Sequence, residues 1–140
     1  MTLSTAGRRR LLALIVALAA GARIVAAAQQ RVVWGDEPYY LWLGRSLLDG
    51  QGYQFFGISA VHFAPLYPLA AALLAKIAGL FGAQGTHALL VGSDALHVIC
   101  GALFVLPVWG IARRLAGEAA GLAAAAVAAL YPALVVGPLL

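Results

Sequence analysis

The sequence predicts an all-α integral membrane protein, with about three transmembrane helices and two interfacial helices in its first outer loop. Three observations predict it. The 140-residue chain is 64% hydrophobic and 10% charged, where a soluble domain carries roughly 25% charged residues. Its mean hydropathy is +0.94, and so apolar a surface would expose large greasy patches to water. Six of the nine basic residues (Arg8, Arg9, Arg10, Arg31, Arg113 and Arg114) stand at the ends of apolar runs, as topology signals do. The net charge of +4 is therefore no argument for nucleic acid as a partner. Abundant Ala and Gly suit close helix packing in lipid, where small residues let backbones approach.

The first span is expected over 11–30, since about 20 helical residues cross a bilayer core of about 30 Å. Arg8-Arg9-Arg10 ahead of it mark a cytoplasmic N-terminus. A basic start, an apolar run and Ala26-Ala27-Ala28 also match a cleavable signal peptide. Arg23 within the run and its full spanning length favour an uncleaved anchor. An outer loop over 31–87 follows, with helices at 36–49 and 65–81. Asp36 can cap the first of these, Pro38 fits its first turn, and Gly50 supplies its stop. Trp34, Tyr40, Trp42, Leu43 and Leu47 are expected at headgroup level. The stretch 51–64 reads as loop.

The segment 65–81 is short, begins with Pro65 and Pro68, and carries Lys76. Further spans are expected over 88–112 and 118–137. Arg113-Arg114 between them should form a short cytoplasmic loop. An even number of crossings must then separate that loop from the N-terminus. Spans 11–30 and 88–112 supply two, so 65–81 should lie in the outer interface. Four spans result instead if Lys76 marks an inner end. Cys100, the single cysteine, reads as a small core residue. Leu140 falls inside an apolar run, so the expectation is an N-terminal fragment of a polytopic domain, catalytically silent alone.

Asp and Glu total five in the chain, and two of them adjoin as Asp36-Glu37, just past the first span among aromatic residues. A carboxylate at a bilayer surface can take a proton from a sugar or lipid-linked acceptor. It needs to approach the acceptor hydroxyl within roughly 2.6–3.2 Å, and such a base contributes about 10²–10⁴-fold. The alternative for Asp36 is capping alone. Glu37 lies about 100° further round the helix, and can orient the acceptor, bind a metal or face water. A divalent metal on this pair has weak support, because no His or third acid stands near in sequence. No other cofactor is implied. Arg23 is a candidate for a leaving phosphate, since an ionisable group within a span is a functional hypothesis by default; snorkelling is the alternative. Arg45 falls on the face opposite Asp36 and reads as a headgroup contact or a solvated charge. Tyr40, His62 and Tyr67 complete the substrate-binding candidates. Asp94 and His97, one turn apart, can pair structurally, and Pro132 after Tyr131 can kink or end its helix.

Four stretches resemble a known group: Gly35 to Gly50 (GDEPYYLWLGRSLLDG), His62 to Pro68 (HFAPLYP), Ile111 to Gly117 (IARRLAG) and Ala129 to Pro132 (ALYP). Together they resemble the N-terminal part of GT-C type membrane glycosyltransferases, the group of protein O-mannosyltransferases and bacterial aminoarabinose transferases of lipid A. Many of those carry a basic residue and two prolines where this chain has His62-Phe63-Ala64-Pro65. The resemblance implies a multi-pass protein of the bacterial inner (plasma) membrane. It implies inverting transfer of a sugar from a polyprenyl-phosphate carrier to a lipid, glycan or protein acceptor at the outer face. Asp36 matches the general base of that group. The rival reading is a small multi-span transporter subunit or assembly factor without catalysis. A transporter would gather polar groups near the bilayer midplane, whereas here Asp36, Glu37 and His62 all fall in the expected outer region.

Overall fold

The structure, a computed structural model, describes residues 4–29, 35–131 and 135. These are mostly helical: α1 (Thr5–Ala28), α2 (Glu37–Leu48), α3 (Leu66–Gly79) and α4 (Gly85–Leu130), with a two-stranded hairpin, β1 (Gln54–Phe55) and β2 (Ile58–Ser59). By length and composition α1 and α4 could each cross a membrane. The chain forms two compact units, 1–31 with 97–140, and 32–96.

In the first unit α1 begins earlier than the expected span. Ser4 caps it, accepting a hydrogen bond from the Gly7 N–H at 3.1 Å, so the three arginines lie within the helix. α4 is broken at Gly117, where φ is 87° and ψ 178°, a region that is essentially glycine's. Helix 97–116 and helix 118–130 then pack on each other. A Cβ on Gly121 would sit 2.8 Å from Arg113 Cβ and 3.0 Å from the Trp109 carbonyl oxygen. The expected loop at Arg113-Arg114 is therefore corrected: both residues are helical and the break falls at Gly117. Arg is a good helix former, and no Gly or Pro stands between Gly110 and Gly117.

The core of this unit is Ile15 and Ala19 of α1, Ala102 and Val105 before the break, and Ala125 and Ala129 after it. Four of these six are alanines, which permits the close approach that dispersion contacts need. Arg8 Nη1 lies 3.4 Å and Arg113 Nε 2.7 Å from Glu118 Oε2. The start of α1 and the break at Gly117 thus share one end of the unit. Cys100 is exposed, not a core residue as expected. It lies about 200° around the helix from buried Ala102. Of the expected span 118–137, residues 132–134, 136 and 137 lie outside the described residues, as do Arg31 and Trp34.

In the second unit α2 spans 12 residues. Asp36 makes no side-chain capping bond; its carbonyl accepts from the Tyr39 and Tyr40 N–H groups at 3.1 and 3.2 Å. Gly50, with φ 74°, follows the helix end. α3 has 14 residues, about 21 Å at 1.5 Å each, less than the roughly 30 Å of a bilayer core. A Cβ on Gly92 of α4 would lie 2.5 Å from the Ala71 carbonyl oxygen and 2.7 Å from the Ala75 nitrogen of α3. Leu41, Ala75, Ala88 and Leu89 form the core. Leu43 is fully buried rather than placed at headgroup level, because its side of α2 carries the buried residues Gly44 and Ser46.

The hairpin departs from the expected unbroken loop. Phe55 pairs with Ile58 across Phe56 and Gly57, both with positive φ (50° and 79°), as a two-residue type I′ turn requires. Ser46 Oγ donates to the Gly52 carbonyl at 2.9 Å, which ties the loop to α2.

Candidate functional site

The second unit brings three sequence-predicted residues together around one that the sequence did not single out. Ser93, fully buried on α4, donates its hydroxyl hydrogen to Glu37 Oε1 at 3.4 Å. It sits 2.5 Å from Tyr67 Oη, whose O–H can donate to it. The Tyr67 ring meets Tyr40 edge-on, with centroids 5.4 Å apart. One hydroxyl thereby links α2, α3 and α4. Serine is scarcely visible in an apolar helix pattern, and only the meeting of three helices gives Ser93 its partners.

Local structure explains the placement. Pro38 near the start of α2 fits the first turn, where the missing N–H costs nothing. Gly44 lets α2 approach α4 and α3: a Cβ there would lie 3.1 Å from Leu89 Cδ2 and 3.5 Å from the Pro68 carbonyl oxygen. Glu37 is half-buried and Asp36 exposed. The two neighbours thus differ: Glu37 is held by a hydroxyl, whereas Asp36 stands toward solvent at the helix start.

Aromatic rings flank the carboxylates. Tyr39 stacks on Phe63 at 5.7 Å, Tyr40 meets the same ring edge-on at 6.0 Å, and Trp42 lies 4.4 Å from Phe56. Such pairs add about 0.5–1.5 kcal/mol each beyond burial. Tyr53 Oη donates to the Phe63 and Ala64 carbonyls at 3.1 and 3.2 Å, pinning the segment that carries His62. Burial and then the neighbouring Tyr40 push the Tyr53 pKa above its ordinary value, which keeps the donor proton in place.

The remaining candidates lie elsewhere. His62 is exposed in the turn after Ala60 and takes no part in the Ser93 cluster. Arg45 is paired with Asp49 at 2.8 Å on the exposed face of α2. Arg23 belongs to the first unit and is 4% exposed. Its Nη1 donates to the Ala19 carbonyl at 2.9 Å and the Ala129 carbonyl at 3.3 Å. A Cβ on Gly101 would collide with its side chain, so Gly101 leaves the room it occupies. Asp94 and His97 are half-buried. Tyr131 is exposed, and Pro132 lies outside the described residues. Among the described residues no three of His, Cys, Asp and Glu gather to hold a metal ion.

The fold and this cluster define a mostly helical protein with two helices of membrane-spanning length and a polar site among aromatic rings. Comparison with known protein families, with curated proteins and with solved structures finds no match.

Proposed function

We propose that the chain belongs to a membrane glycosyltransferase that moves a sugar from a polyprenyl-phosphate carrier to an acceptor at the outer face. The observation that carries this reading is the division of labour in the acidic pair. Asp36 is exposed and makes no capping bond, so it is available to accept the proton of an acceptor hydroxyl. Glu37 is held by Ser93 and orients the acceptor. Tyr40 and Tyr67, whose rings meet edge-on, supply flat aromatic faces that suit a sugar ring. The resemblance of residues 35–50 and 62–68 to GT-C enzymes supports the same assignment.

In this reading α1 and the two helices of α4 cross the membrane, with the N-terminus and the Arg113-Arg114 end in the cytoplasm. The 31–87 region then faces outward and α3 does not cross. Arg23, bonded to carbonyls of two helices, ties the first unit together and does not reach for the donor phosphate.

The test is an Asp36→Asn substitution at the native gene, with polyprenyl-phosphate sugars quantified by mass spectrometry of lipid extracts. A donor pool should accumulate, as expected from a rate loss of about 10²–10⁴-fold, with unchanged protein in the membrane fraction. Polyprenyl-phosphate sugar pools identical to wild type would remove the reading.

A further inference from the structure

The first unit holds a second polar site that the transferase reading does not use. At the end shared by the start of α1 and the break in α4 there is a cleft of about 220 Å³, lined by Thr5, Arg8, Arg9, Leu12, Trp109, Arg113 and Glu118. One water occupies roughly 30 Å³ of liquid, so the cleft has room for a larger polar group. Three arginines face one glutamate, a net of +3 − 1 = +2 from the lining residues. Glu118 takes Arg8 Nη1 at 3.4 Å and Arg113 Nε at 2.7 Å, and Arg8 Nη2 donates to Thr5 Oγ1 at 3.2 Å.

Two donors remain. Arg8 Nε–H and Trp109 Nε1–H are buried and have no acceptor among the described residues. A buried donor left unsatisfied is costly, and both belong to residues lining the cleft. The Arg113 guanidinium lies 5.0 Å over the Trp109 ring, which turns another cation toward the same place. The start of α1 adds the positive end of a helix dipole. Excess positive charge, unfilled N–H donors and a helix N-terminus around one cleft all call for the same ligand chemistry.

We infer that this cleft binds a phosphate group, carried on an anionic lipid headgroup or free in solution. Arg8 Nε–H and Trp109 Nε1–H donate to phosphate oxygens, while Arg9 and Arg113 supply charge. Basic pockets between helices on the cytoplasmic side are known to take phosphate headgroups, and the arginines at this end favour that side. The inference stands independently of the transferase reading.

The experiment uses the full chain in neutral detergent with Trp34→Phe and Trp42→Phe, so that Trp109 alone fluoresces. It is titrated separately with dihexanoyl phosphatidate and with inorganic phosphate at constant ionic strength. Saturable change with both probes assigns the site to phosphate as such. Change with the lipid alone assigns it to a headgroup. Arg8→Ala and Arg9→Ala should each weaken binding about tenfold. Arg9 is exposed, so its loss leaves the fold in place. Glu118→Gln should tighten binding severalfold by removing the competing carboxylate. Arg10→Ala, outside the cleft, should change little. No saturable change with either probe would overturn the inference. So would equal weakening by Arg10→Ala and Arg9→Ala, since that is the mark of diffuse attraction to a basic end.

Discussion

The two units solve the packing of an apolar chain in different ways. The first is held by small residues in a seam: Ala19, Ala102, Ala125 and Ala129, with Gly101 and Gly121 where side chains or backbone come close. Its larger side chains, such as Leu14, Leu18, Leu103 and Phe104, are exposed. A helix that is apolar on all sides belongs among other apolar groups. The second unit also exposes large apolar side chains, among them Leu66, Leu80 and Phe81, but it buries Leu43 and Leu89 fully and joins its helices through polar contacts at Ser93. Its hairpin and turns use glycines at positive φ, Gly50, Gly52 and Gly57. Where the surroundings supply apolar contact, packing needs only smoothness; where a site must be oriented, hydrogen bonds and turns are needed as well.

The comparison is broken or sharpened first by topology. Single cysteines at 36, 62 and 84 in a Cys100→Ser background should all react with a membrane-impermeant thiol reagent in intact cells. A cysteine at 115, at the other end of the first unit's helix 97–116, should react only after permeabilisation. Protection of position 84 alone would make α3 a crossing segment; protection of position 36 would end the outer-face reading.

The glycine seams come next. Gly92→Ala should cost about 3 kcal/mol, the upper end for overpacking, because its obstacles are the Ala71 and Ala75 backbones. Gly101→Ala should cost about 1–2 kcal/mol, because it meets the Arg23 side chain, which can shift. Detergent-solubilised protein titrated with sodium dodecyl sulfate gives both values. Equal costs would mean that Arg23 is held as rigidly as backbone.

Ser93→Ala should cost about 1–3 kcal/mol by leaving Tyr67 and Glu37 without their shared hydroxyl. The same titration measures it, and a neutral result would remove Ser93 as the link among three helices. The smallest effect is expected at Arg45→Ala. The exposed i,i+4 pair with Asp49 is worth about 0.3–0.5 kcal/mol, and high salt should erase it.

Much of the helical framework was legible in the sequence because it depends on properties that single residues carry. Hydropathy located α1 and α4, the two prolines and the apolar run located α3, and Gly50 marked the end of α2. The hairpin was not legible, since strands of two residues are too short to show an alternation. The end of the long helix was misread at Arg113-Arg114, where charge suggested a loop. Charge reports where a helix meets water, whereas backbone dihedrals decide where it breaks, and Gly117 is the residue that can adopt them. In the candidate site, Asp36, Glu37, Tyr40 and Tyr67 stood out as polar or aromatic groups near an apolar run. Ser93 did not, and His62 stood out without joining the cluster.

The sequence by itself determined a mostly helical, apolar chain, the approximate places of its long helices, and an acidic pair just beyond the first. Composition and hydropathy add up residue by residue, so no fold is required to read them. The tertiary structure alone decided that Glu37 rather than Asp36 is held by a hydroxyl, that Arg23 is buried between helices, and that Arg8, Trp109 and Glu118 share a cleft. Each of these depends on residues dozens of positions apart meeting within a few ångströms, and that distance is set by packing.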